Sequence, residues 1–171
     1  IDELTFLDIT EHTGIEVRSQ SFGLSWGNIN KDSLQDLYFS NHWQLPKSLF
    51  LNLGDGSFTD ISNSLPFENV GNGDAHAGTF VDVDGDGDDD LLATTGGTYG
   101  AVPFFENARG EFFLKNGEEL GFYYVNSNRA VIPFDGNLDG KIDLFLTTAG
   151  KSQPSAPFFQ SSAWRFRNVG E

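Results

Sequence analysis

The chain has 171 residues, 25 of them acidic and 10 basic, for a formal net charge of −15; that balance argues against a nucleic-acid partner, which needs clustered Lys and Arg, and against an anionic membrane surface. Cysteine is absent, so a disulfide framework, zinc–thiolate sites and thiol catalysis are excluded. The 17 Phe and 20 Gly suit many short strands joined by turns, and no apolar run approaches the roughly 20 residues that span a bilayer, so no direct membrane insertion is expected.

In chain order, the first predicted element is a short strand at Phe6-Leu-Asp-Ile9. It matches the later Phe58-Thr-Asp-Ile61 at a separation of 58 − 6 = 52 residues, so residues 1–15 are expected to be the closing strand of a preceding unit. Next come a strand at Phe22–Trp26, an Asx-rich loop at Asn28–Asp36, a strand at Leu37–Phe39, a strand in Leu49-Phe-Leu-Asn52, and a Phe-led strand, Phe58–Ile61, after the turn Gly54-Asp-Gly. The same order returns as His76–Phe80, loop Asp82–Asp90, Leu91–Thr95, Pro103–Asn107 and Phe112-Phe113 after Arg109-Gly. It returns again as Arg129–Pro133, loop Asp135–Asp143, Leu144–Thr148, Pro157–Gln160 and Ala163–Arg167. The loops start 82 − 28 = 54 and 135 − 82 = 53 residues apart, and the predicted repeats span 16–61, 70–114 and 123–168. About four short strands per repeat, punctuated by hairpin residues, predict an all-β fold of three four-stranded antiparallel β-propeller blades. Such an array is expected to be part of a larger or completed propeller, because propellers have four to eight blades. The lack of any Met likewise reads as a segment of a longer protein or a processed subunit.

The three loops carry oxygen ligands at alternate positions. In the second loop, positions 1, 3 and 5 are Asp82, Asp84 and Asp86, position 7 is Asp88, whose backbone carbonyl is available, and position 9 is Asp90. Alternate carboxylates on a tight glycine-containing loop converge on one point, and six or seven hard oxygens in a flexible setting suit calcium better than magnesium or zinc. Asp135, Asn137, Asp139, Lys141 and Asp143 occupy these positions in the third loop; the first loop has Asn28, Asn30, Asp32 and Asp36 at positions 1, 3, 5 and 9. An acidic surface turn is the alternative for one loop alone, but three in register each lead into a strand. An EF-hand fails at position 12, where a bidentate Glu belongs and Phe39, Ala93 and Leu146 stand. Two to three Ca2+ ions are therefore expected. The first loop should be weakest, having two carboxylates and Ser33 where the others have Gly.

The combination Asp-x-Asx-x-Asp-Gly-x-x-Asp-Leu, Leu-Phe-x-Asn and Gly-Asp-Gly-x-Phe-x-Asp-Ile resembles the FG-GAP/VCBS repeat family, which includes the propellers of integrin α subunits and many bacterial secreted proteins. The opening Phe6-Leu-Asp-Ile-Thr-Glu11 with Gly14-Ile15 is similar to its bacterial ASPIC/UnbV-like branch. The resemblance implies a propeller with structural calcium in the blade loops and an extracytoplasmic setting, but no single activity. The sequence departs from the pattern in the first loop and at Ser161-Ser-Ala-Trp164, which stands in for Gly-Asp-Gly.

Other candidate residues are few. His12, His42 and His76 do not share a repeat position, which gives no support to a three-histidine metal site. Phe22, His76 and Arg129 do occupy equivalent positions, six before each loop, and His76 and Arg129 are candidate ligand-binding residues on an axial face. Trp43, in a polar loop, is the candidate surface aromatic for stacking on a ligand, whereas Trp26 matches Phe80 and reads as core. No nucleophile elbow, phosphate loop or dinucleotide fingerprint occurs, so the chain is expected not to be an enzyme. The favoured expectation is a calcium-binding interaction or structural module (adhesion, scaffold or subunit) in the periplasm, at the cell surface or secreted. Its expected partners are other protein chains of an assembly or the rest of a longer propeller. The alternatives are a lectin propeller with a glycan partner, and a segment of a larger secreted enzyme such as a polysaccharide lyase.

Overall fold

A computed structural model describes residues 4–16, 20–42, 48–66, 74–95, 103–122, 128–149, 155–162 and 165–168. Among them, twelve strands form three four-stranded sheets. The first blade contains β1 (Ser21–Gly27), β2 (Asp36–Asn41), β3 (Ser48–Asn52) and β4 (Phe58–Asp60). The second has β5 (Ala75–Val81), β6 (Asp90–Thr95), β7 (Phe104–Ala108) and β8 (Glu111–Lys115). The third has β9 (Asn128–Phe134), β10 (Asp143–Thr148), β11 (Ala156–Ser162) and β12 (Arg165–Asn168). Within each sheet, spatial order follows chain order and every pairing is antiparallel. This is the expected blade, and it forms because each strand is short, rich in Phe, Leu and Val, and bounded by residues that turn the chain back on itself.

The sheets are layered face to face. In the second blade Leu91 and Leu92 are both buried, which sets its strands apart from ones with a single wet face. Leu91 and Phe105 join Tyr38, Leu49 and Ile29 in one core between the first and second blades. Leu92 and Phe104 join Leu144, Phe158 and Phe166 in another, between the second and third. The strand β5 packs so closely on the first blade that a Cβ at Gly27 of β1 would run into the Phe80 ring, and one at Gly78 into the Tyr38 ring of β2. On the outward side of the first blade, Leu24 and Trp26 remain exposed, and on that of the third so does Ile132.

Each inner strand carries a bulge near its start. The pairing with the next strand shifts between Ser21 and Gly23, between Ala75 and Ala77, and at the Asn128–Ala130 step opposite Thr147 and Thr148. The extra residues are Phe22, His76 and Arg129. The small residue that recurs after each marks this bulge, and in two blades its N–H is held by a hydroxyl: Gly23 N donates to Ser40 Oγ and Ala77 N to Thr94 Oγ1, both at 2.9 Å.

Residues 4–9, read from sequence as a closing strand, form no strand. Each sheet already has its own fourth strand, so no third strand within the three described blades is left to pair with them; Phe6 is 91 % exposed. The turn that follows does keep the repeat's geometry. Asp8 Oδ1 accepts from the Thr10 N–H and hydroxyl, as Asp60 Oδ1 does from those of Ser62. A four-residue helix, Thr10–Thr13, then occupies the place of the 3₁₀ turn Ser62–Ser64.

Candidate functional site

The three Asx-rich loops connect each inner strand to the next, and their shape is set by side chain to backbone hydrogen bonds. In the second loop Asp82 accepts from Gly85 N (2.7 Å) and Gly87 N (2.9 Å), Asp84 from Asp86 N (3.1 Å), and Asp86 from Asp88 N (2.9 Å). These turns bring a carboxylate oxygen from each of Asp82, Asp84 and Asp86 within 4.8 Å of one another. The third loop repeats the frame. Asp135 accepts from Asp139 N and Gly140 N, Asn137 from Asp139 N, and Asp139 from Lys141 N. The N–H of Lys141, more than anything else, draws the Asp139 carboxyl below its ordinary range, and the Lys141 ammonium lies 3.2 Å from the same side chain. In the first loop Asn30 and Asp32 bond each other, while the buried Asn28 Oδ1 has no hydrogen-bond partner.

The loops differ in backbone ease as well as in charge. Position 4 is left-handed in all three, at Lys31 (φ 61°), Gly85 (φ 80°) and Leu138 (φ 60°). Position 6 is left-handed too, at Ser33 (φ 69°), Gly87 (φ 90°) and Gly140 (φ 81°). A residue with a Cβ loses about 1–2 kcal/mol there, so the second loop is the least strained and the first the most. This ranks the loops as carboxylate count does.

Position 9 has a role that its place in the motif did not reveal. Asp36, Asp90 and Asp143 are fully buried. One oxygen of each accepts from the position-2 N–H of its own loop, at Ile29, Val83 and Gly136. The other accepts from the backbone of the third strand, at Asn52, Asn107 and Gln160. Burial pushes the Asp90 carboxyl up to about 7; the N–H groups of Asn107 and Val83 oppose this, and Asp84 and Asp82 add to it. Burial raises Asp36 in the same way. Position 9 is thus a strut between loop and sheet.

The third-strand amide carries the connection into the preceding blade. Asn107 Nδ2 donates to Ile29 O at 2.8 Å, and Gln160 Nε2 to Val83 O at 2.7 Å. A cation crosses the same seam: Lys31 Nζ lies 2.9 Å from Asp88 Oδ1 and donates to Asp86 O at 3.3 Å. Burial works against the Asp88 charge, but Lys31 and the Arg109 N–H outweigh it and hold the carboxyl below its usual range. The side chain of Asp88 therefore belongs to the seam, as does Asp89, which accepts from Asn28 N. Sequence reasoning missed this wiring; the signal was the Asn or Gln ending each Leu-Phe-x-Asn-type strand at a fixed distance from the loop.

At the opposite ends of the inner strands, the three bulge residues meet. Arg129 Nη1 contacts His76 Nε2, and the Phe22 ring lies 5.5 Å from that of His76. His42, just beyond β2, joins them, its ring 4.5 Å from Phe22. The equivalence of Phe22, His76 and Arg129 was visible in the spacing, whereas the arrival of His42 was not. Trp43 lies outside the described residues.

No helix among the described residues is long and apolar enough to cross a membrane. No curated protein matches the chain. Residues 28–93, from the start of the first Asx loop to β6, match the family described as FG-GAP-like repeat. Together with the blade-like sheets, that match shows residues 28–93 to be similar to an FG-GAP-like repeat.

Proposed function

We propose that the chain is a calcium-stabilised interaction or structural module of an extracytoplasmic assembly, without catalytic activity of its own. The observation that carries this reading is the convergence of Asp82, Asp84 and Asp86 on one point, within a hydrogen-bonded frame that recurs in the third loop. Oxygen ligands alone, on a loop free to adjust, favour Ca2+. Asp82, Asp84, Asp86 and Asp90 would bind it in the second loop, with the Asp88 carbonyl; Asp135, Asn137, Asp139 and Asp143 would do so in the third, with the Lys141 carbonyl. Asn28, Asn30, Asp32 and Asp36 form the weakest site, and there the unpartnered Asn28 oxygen supports a ligand role. Weak calcium sites fill where the ion is abundant, which supports a place outside the cytoplasm. The partners are further blades or chains that cover the apolar outer faces of the first and third sheets, where Leu24, Trp26 and Ile132 stand exposed.

Isothermal titration of EDTA-stripped protein tests the proposal. Calcium should bind with at least two equivalents, and the pair Asp82→Ala and Asp86→Ala should reduce binding far more than Asn28→Ala and Asn30→Ala. An absence of calcium heat would refute it.

A further inference from the structure

A second group of metal-competent side chains lies at the opposite ends of the inner strands from the Asx loops, at the junction of the first two blades. His42 Nδ1 is 3.0 Å from Asp74 Oδ1, and His76 Nε2 is 2.8 Å from Asp74 Oδ2. One donor atom from each of the three residues lies within 4.8 Å of the others. We propose that His42, Asp74 and His76 bind one divalent cation of the zinc class, bridging the first and second blades.

Three observations support the assignment. The donors are two imidazoles and a carboxylate, a set that suits zinc and its neighbours and is poor for calcium. Ligands about 2.0–2.2 Å from a tetrahedral ion stand roughly 3.4 Å apart, so the two His–Asp contacts, at 3.0 and 2.8 Å, need to open by only about half an ångström. The side chains are held: their relative exposures are 15 %, 27 % and 11 %, and the Phe22 ring flanks both imidazoles. His76 is moreover a bulge residue, and bulges redirect a side chain away from the alternation of its strand. Three protein ligands leave a fourth position for water or an anion. Arg129 contacts the same His76 nitrogen that the metal would take, so its guanidinium must move off that atom; it lies on the exposed side, where it has room to do so. In the absence of metal, Asp74 is hydrogen-bonded to His76 and lies at ion-pair distance from His42, which forms a stitch between blades.

The test uses the full chain saturated with calcium, so that the Asx loops are occupied. Co2+ is added and followed by visible absorption, and Zn2+ by calorimetry. One further equivalent should bind, with the d–d bands of a low-coordinate nitrogen–oxygen site. His42→Ala and His76→Ala should each weaken binding at least about tenfold, since even loss of an outer partner to a metal ligand typically costs 10–100-fold. His12→Ala, outside the cluster, should change nothing, and Arg129→Gln should tighten binding by removing a like charge. If the alanine variants melt early, His76→Gln keeps the bulk and a hydrogen bond while losing the imidazole, and should show the same weakening. Uptake of no metal beyond the calcium sites, or unchanged affinity in the histidine variants, would leave only the metal-free contacts of Asp74 with the two histidines and overturn the proposal.

Discussion

At the scale of single residues, Asp90 ties its loop to the sheet and is also a proposed calcium ligand. It is buried, accepts two backbone N–H groups, and faces Asp82 and Asp84. Without a cation its carboxyl sits near 7, against an ordinary value of 3.8. Between those two pH values the folded protein holds a proton that the unfolded chain has released. Folding is therefore favoured at the acid end of the window, and stability of the EDTA-treated protein should fall as pH rises through it. Calcium, by stabilising the ionised form, should flatten that slope. Melting temperatures taken across the window with EDTA and with calcium check this, and Asp90→Asn should reduce the EDTA slope, leaving the part that Asp36 contributes. The same substitution places an NH2 group against a backbone N–H, so it should also cost about 1–3 kcal/mol of stability in neutral solution. The dual role explains what the sequence left hidden. The spacing of position 9 from positions 1, 3 and 5 is local and was legible, whereas the backbone partner of Asp90, Asn107, is 17 residues away across a strand pair.

At the scale of elements, the blades were largely readable because their strands depend on short-range patterns: apolar runs, hairpin glycines and a repeat near 53 residues. Contacts between blades were not readable in that way. Gly27 and Gly78 look like ordinary strand glycines in the sequence, yet each lies under an aromatic ring from the adjoining blade. Gly78→Ala should push against Tyr38 and destabilise the protein by about 1–3 kcal/mol, as overpacking does elsewhere; urea unfolding at fixed calcium measures it. Residues 4–9 teach a related lesson. Their likeness to Phe58–Ile61 survives in the Asp8–Thr10 turn, and the preceding unit they were expected to close is not among the three described blades. The bulges are intermediate: the recurrent small residue was plain, and its cause, a register shift held by Ser40 or Thr94, needed the paired strand.

At the scale of the whole molecule, the two outer blades each show an apolar face. Leu24 and Trp26 on the first, and Ile132 on the third, are exposed where the middle blade buries both of its sides. Such surfaces associate, so light scattering on the 171-residue chain should show self-association, reduced by Leu24→Lys together with Ile132→Lys. A monodisperse monomer insensitive to concentration would count against covering partners. The seams between blades also have a direction. Asn107 reaches back to Ile29 and Gln160 reaches back to Val83, so each blade grips the loop laid down before it. Assembly along the array therefore has polarity. A loop is finished only by the arrival of its successor, and ion occupancy in the second loop should be felt by the third blade as much as by its own. Drawn out from its ends, such a chain would be expected to give way blade by blade, each loop loosening as its successor leaves.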